Sequence, residues 1–288
     1  MSFFRKIFGN KKGDINSDKA SNLTPEEFFN TDYIKGIINK YQKTTTLLRP
    51  HGSKNEIGQQ ESKFGGIPSF SGFDEYPCCS SCKTPLNFIL QLYKKDFPDF
   101  YFPDDSDLFQ LFRCPNYDCP DANSEKYDLT MYHYYFNMSS DNKILKKPQH
   151  SLNEAEGEIP DCFLKPIVKD DFPNYEDYKD DEFVVIENKF GEDLAELFMS
   201  KYSAIQRSKF GGYPSYTQSP NYPVCTCGKT KEFFFQLSSE DPEDGGEQLP
   251  APDKWNAHGL MIGDVGNIYY YVCKSCGPNT IESNWDCY

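Results

Sequence analysis

SKFGGIPSFSGFDEYPCCSSCKTPLNFILQL (residues 62–92) and SKFGGYPSYTQSPNYPVCTCGKTKEFFFQL (residues 208–237) read as two versions of one segment. Aligned with one gap opposite Ser81, they agree at 14 of 30 positions, where unrelated segments would share about two. The offset of 146 residues is domain-sized, so the pattern points to an internal duplication. Gly65, Gly66 and Pro68 match Gly211, Gly212 and Pro214. Paired glycines suit a turn with positive φ, and the proline then directs the exit into extended chain. Gln91 and Gln236 sit within apolar runs of both copies. A buried amide must be hydrogen-bonded, so these two are expected to tie strand to loop.

Working outward, residues 87–93, 108–113, 232–237 and 268–272 are aromatic and aliphatic runs bounded by turn residues, and read as strands; FVVIE (183–187) is a further candidate. Thr24-Pro25-Glu26-Glu27 is a capping box, and Phe28, Ile34, Ile37, Ile38 and Tyr41 follow at helical spacing, which predicts a helix over 25–43. Glu192 to Ile205 reads as its counterpart before the second KFGG. The expected fold is a β-rich α+β protein of two related lobes, 23–150 and 151–288, each a helix plus a partly antiparallel sheet. KKPQHSLNEAEGE (146–158) carries the boundary, and residues 1–22 read as a disordered basic arm.

Eight of the eleven cysteines fall into pairs: Cys79 with Cys82, Cys114 with Cys119, Cys225 with Cys227, and Cys273 with Cys276. Each copy thus has a close pair before one strand and another after a later strand. Two such pairs resemble a four-thiolate zinc site, closed and therefore structural, with up to two ions per chain. The spacings of Cys-x-Cys and Cys-x4-Cys depart from the favoured knuckle, so buried reduced thiols acting as small hydrophobes stand as the alternative. Cys78, Cys162 and Cys287 are left over.

The charge is uneven. Residues 1–150 hold 19 basic and 19 acidic side chains, whereas 151–288 hold 11 and 25, which accounts for the whole net charge of −14. Acidity concentrates in 154–193 and 240–253. It argues against a broad phosphate-binding surface and suits a basic protein partner, with Asp170, Asp171, Glu176, Asp177, Asp180 and Asp181 as candidate contacts. A solvated acidic surface is the plainer reading. No apolar run approaches a membrane span and no signal-peptide core is present, so a cytoplasmic protein is expected.

Four scattered histidines stand in no metal-ligand or nucleophile context. There is no nucleophile elbow, no phosphate loop and no dinucleotide fingerprint, and no small-molecule substrate is evident. Gly263 to Asn267 runs into a strand and reads as a hairpin turn. The aromatic runs 132–136 and 269–271 suit a core or sheet face, with base stacking as the other use.

KFGGIPSF, KFGGYPSYTQSPNYPVC, the Phe-x-x-Gln-Leu strands, KDDFPNYED (169–177), GLMIGDVGNIYYYVCKSC (259–276) and ESNWDCY resemble the bacterial YwqG-like family. More distantly, the doubled glycine loop with its cysteine pairs is similar to the eukaryotic programmed cell death protein two family and its ribosome-biogenesis relatives. The first resemblance implies a β-rich α+β fold without an assigned activity; the second implies a chaperone that holds a newly made basic ribosomal protein. The resulting expectation is a non-enzymatic protein-binding module, with an RNA-associated factor or a toxin-immunity protein as the alternatives.

Overall fold

A computed structural model describes residues 23–51, 57–103, 105–116, 118–120, 131–137, 143–149, 159–179, 182–241 and 256–288. The arm at 1–22, Asp180, Asp181 and most of the acidic run 240–253 lie outside the described residues. The chain forms two compact units: one of the described residues up to Lys40 with Tyr178–Tyr202, the other of Tyr41–Asp177 with Ser203–Tyr288.

The first unit is helical. The capping box forms, with Glu27 N–H donating to Thr24 Oγ1 and Thr24 N–H to Glu27 Oε2. The single helix expected over 25–43 is instead two, α1 (Pro25–Asn30) and α2 (Asp32–Tyr41). Thr31 divides them: its extended backbone ends α1, and its hydroxyl donates to Phe28 O while accepting from Ile34 N–H, which restarts the chain as an N-cap does. FVVIE is not a strand. It lies in α3 (Glu182–Phe190), because Phe183, Ile186 and Phe190 recur at helical spacing and are buried, leaving Val184 and Val185 exposed. The helix α4 (Glu192–Lys201) follows at once.

The second unit is built on one ten-stranded sheet. Its strands are β1 (Lys43–His51), β2 (Lys63–Phe64), β3 (Asn87–Tyr93), β4 (Leu108–Arg113), β5 (Met131–Phe136), β6 (Cys162–Asp171), β7 (Lys209–Gly211), β8 (Glu232–Ser238), β9 (Asn267–Val272) and β10 (Glu282–Asp286). The order is β10-β9-β8-β7-β1-β6-β2-β3-β4-β5, and every neighbouring pair is antiparallel rather than only some. Two meanders, β2 to β5 and β7 to β10, flank a long central pair. Each meander is joined by a strand from the other half of the chain: β6 lies beside β2, and β1 beside β7.

Both central strands contain a proline, Pro50 and Pro166, which a mid-sheet strand ordinarily rejects. The short strands make them possible. Leu48 N–H donates to Ser208 O and Leu164 N–H to Ser62 O, so the amides of this parity face β7 and β2 respectively. Two residues further on, β7 and β2 have ended, and the missing N–H of Pro50 or Pro166 leaves no carbonyl without its donor.

Hydrogen bonds match pairwise across the two meanders. Tyr93 N–H donates to Ser62 Oγ and Ser238 N–H to Ser208 Oγ, each at 2.9 Å. Ser69 N–H donates to Gln91 Oε1 and Ser215 N–H to Gln236 Oε1, each at 3.0 Å. The register shifts between Phe88 and Leu90 in β3, and between Phe233 and Phe235 in β8.

One sheet face carries the main core, in which Phe100 packs its ring 5.0 to 5.9 Å from those of Phe109, Phe210, Phe234 and Phe235. Each such ring is worth about 1.5–3 kcal/mol of burial. Against the other face run the loops that follow the paired glycines. Gln91 Nε2 donates to Gln59 O and Glu61 O, and Gln236 Nε2 to Arg207 O and Ser215 Oγ; with each Oε1 accepting from Ser69 or Ser215 N–H, the amides tie their strands to the chain on both sides of the glycines. The glycines allow the loop to approach: Gly66 and Gly212 both have φ of +67°, and a Cβ there would lie 1.7 Å from Asp161 Oδ1 and 2.2 Å from Asp171 Oδ2.

Candidate metal centres

Each meander brings a loop before one strand against the residues that follow the next. Asn87 opposes Arg113, so Cys79 and Cys82 meet Cys114 and Cys119; Glu232 opposes Val272, so Cys225 and Cys227 meet Cys273 and Cys276. Within each group of four the sulfurs all lie within 4.8 Å of one another. Sγ of Cys79 is 3.5 Å from that of Cys119, Cys82 3.6 Å from Cys114, and Cys227 3.7 Å from Cys273. Thiolates 2.3 Å from a central zinc at tetrahedral angles would be spaced about 3.8 Å apart. These separations far exceed an S–S bond, and all eleven cysteines are free thiols. Each group can therefore hold a metal ion.

The local backbone explains the convergence. In the first knuckle Cys79 N–H donates to Thr84 O, Leu86 N–H to Pro77 O, and Lys83 turns the chain at φ +61°. In the second, Cys225 N–H donates to Lys229 O, Lys231 N–H to Pro223 O, and Gly228 turns the chain at φ +85°. The Cys-x-Cys spacing is thus one residue shorter within the same frame, which is why a departure from the common knuckle spacing still delivers two sulfurs.

The surroundings differ. Cys79, Cys114 and Cys119 are buried beside Leu86, Phe88 and Phe112, whereas Cys227 and Cys276 are exposed. Burial works against a thiolate at Cys82, yet hydrogen bonds with the hydroxyl and backbone of Thr84 hold it down to about 6. Burial pushes Cys114 up. Hydrogen bonding from the Cys227 backbone holds Cys225 down to about 6, while side-chain hydrogen bonds with Cys227, Cys273 and Cys225 push Cys276 up to about 12. Four thiols packed together do not all ionise unaided; a divalent cation held there would displace the remaining protons.

The acidic candidates separate. Asp170 and Glu176 are exposed, and Asp177 is half-buried and accepts from the Tyr222 hydroxyl at 2.8 Å. Asp171 belongs to the interior, where it pairs with Lys209 and accepts from the backbone of Ile205 and Tyr213, so it offers a partner no charge. Asp241, in the second acidic run, is likewise buried and accepts from Ser208 N–H. Sequence reading missed its link to His258, whose Nε2 lies 2.9 Å from Asp241 Oδ2; Nδ1 accepts from Leu260 N–H, which leaves the proton on Nε2. Tyr269, Tyr270 and Tyr271 are enclosed in the sheet and present no ring for stacking.

Among the described residues no helix is long and apolar enough to cross a membrane. Comparison with curated proteins finds no match. A family model described as domain of unknown function (DUF1963) matches residues 62–276, from the first glycine loop to the last cysteine of the second cluster, and the chain belongs to that family.

Proposed function

We propose that this protein is a non-enzymatic binding protein whose sheet is pinned by two structural zinc ions, one at the corner of each meander. The observation that carries this reading is the meeting of four cysteine sulfurs, twice, at close to tetrahedral zinc–thiolate spacing. Four protein ligands fill the shell, leaving no position for a reacting water, so the metal's role is to fold and hold. The matched hydrogen bonds and bulges support a duplicated ancestry, with one site inherited per half. Elemental analysis and native mass spectrometry of protein purified without added metal test the reading. Two zinc ions per chain are expected, with a fall in Tm on chelation; metal-free protein of unchanged stability would overturn it, and bound iron would redirect it, since thiolates also suit iron.

The ligand that we propose is a basic protein segment, held by the acidic second half. Its support is the net charge of −14 residing in residues 151–288, with Asp170 and Glu176 at the surface. The resemblance to ribosome-biogenesis factors supplies the class of partner. Affinity capture from the protein's own cells, then binding at two salt concentrations, decides it. A slower on-rate for D170N/E176Q/D180N/D181N supports the reading, and capture of RNA or of an acidic protein alone would sink it.

A further inference from the structure

The loop after the paired glycines occurs twice, and its two copies face different surroundings. In the second half it carries Tyr213, Tyr216 and Tyr222, which are tied down: the Tyr213 hydroxyl donates to Tyr41 O, Asn174 Nδ2 to Tyr216 O, and the Tyr222 hydroxyl to Asp177. The matching positions in the first half are Ile67, Phe70 and Tyr76. There, with Pro68, Phe88 and Ile159, they line a pocket of about 470 Å³. Residues 144–147 (Ile-Leu-Lys-Lys) supply the remaining wall. Tyr76 spends its hydroxyl on Leu86 O, and apart from Lys146 and Lys147 the side chains of the lining are aliphatic or aromatic.

Three properties define what fits. The volume lies in the range of small-molecule sites, about 300–1,000 Å³. The apolar surface reaches the rim, where Ile67 is 58 % and Ile144 78 % exposed. In a chain of net charge −14, both charged residues lining the pocket are lysines: Lys146, which is exposed, and Lys147, whose amine donates to Asn87 Oδ1 at 2.6 Å. A ligand complementary to all three has a hydrocarbon body and one negative end. We propose that this pocket binds a medium- to long-chain carboxylate, with its chain against Ile67, Phe70, Phe88 and Ile159 and its carboxylate at Lys146. This reading is independent of the acidic surface and of the metal.

Calorimetric titration of the full chain with octanoate, decanoate and dodecanoate, each below its micelle concentration, tests the proposal. The expected result is one saturable site whose affinity rises about fourfold per added methylene until the pocket is full. Ile67→Asp, at an exposed position that the fold does not need, should lower dodecanoate affinity by about tenfold or more. Lys146→Glu should weaken dodecanoate by about threefold and leave dodecanol unchanged. Circular dichroism and Tm of both variants establish that they remain folded. Absence of saturable binding, an affinity indifferent to chain length, or full affinity in Ile67→Asp would overturn the proposal. So would an apolar peptide that binds the site tightly while dodecanoate does not, since the pocket would then take a partner's side chain.

Discussion

The amine of Lys209 stands 2.7 Å from Oδ2 of Asp171, and both side chains are wholly enclosed. Burial pulls the amine down to about 8, with the charge of Asp171 opposing. Asp171 also accepts from Ile205 N–H at 2.8 Å and Tyr213 N–H at 2.9 Å, so one carboxylate fixes β7, the approach to it and the loop beyond. The matching Lys63 reaches Asp161 at 3.0 Å, where the carboxylate is partly open to water. Asp171→Ala should therefore cost about 3–5 kcal/mol by leaving a buried amine unpaired. Asp161→Ala should cost visibly less. Urea midpoints of the two variants, read with their m-values, decide the order; equal losses would contradict it.

Alkaline pH should unfold the protein in a single step. Burial pushes Tyr269, Tyr270 and Tyr271 well above their ordinary value of 10. Above pH 10 the unfolded chain releases protons that the folded chain keeps, so stability is intact below 10 and falls as pH rises past it, by about 1.4 kcal/mol per pH unit for each such tyrosine. Lys209 acts the other way, its lowered value relieving a penalty as pH rises from about 8 to 10.5. The share of the tyrosinate absorbance that belongs to these buried rings should thus appear late, together with loss of circular dichroism. An absorbance change complete for all 20 tyrosines while the circular dichroism is still native would refute the enclosure of these rings.

Two glycines that both have positive φ should respond differently to alanine. At Gly212 (φ +67°) a Cβ would lie 2.2 Å from Asp171 Oδ2 and 2.9 Å from Thr45 Cβ, whereas at Gly228 (φ +85°) it would meet nothing within 4 Å. Gly228→Ala should cost only the left-handed strain, about 1–2 kcal/mol. Gly212→Ala adds a clash with a buried ion pair and should exceed about 3 kcal/mol. Thermal denaturation of both proteins ranks them.

If both clusters hold zinc, they should release it at different rates. Cys227 and Cys276 are exposed, while Cys79, Cys114 and Cys119 are enclosed with Phe88 and Phe112. Release to a chromogenic chelator should be biphasic, with equal amplitudes, and Cys276→Ser should remove the fast phase alone. A single phase would mean that exposure does not govern exchange.

Much of the sheet was legible. The expected strands 87–93 and 108–113 coincide with β3 and β4, since both are predominantly apolar runs between turn residues. The cysteine pairs were legible as pairs because their positions relative to the strands repeat. The central strands were not. Lys43–His51 and Cys162–Asp171 carry Pro50 and Pro166 and only partial alternation, and what admits those prolines is the shortness of β2 and β7, a long-range fact. FVVIE misled because local β-propensity favours Val-Val-Ile, whereas packing selected the helical spacing of Phe183, Ile186 and Phe190. Asp171 misled in the opposite sense, as a charge within an acidic run whose partner stands 38 residues away in sequence.

The exchange of central strands has a consequence during synthesis. Both neighbours of β1, β6 and β7, belong to the second half, and β6 begins at Cys162, 111 residues after His51. At translation rates of about 5–20 residues per second, the nine-residue β1 waits about 5–20 s with both edges unpaired. A ribosome halted between the halves would display a meander from β2 to β5 and a bare strand ahead of it, ready to pair with the same strand on a neighbouring nascent chain.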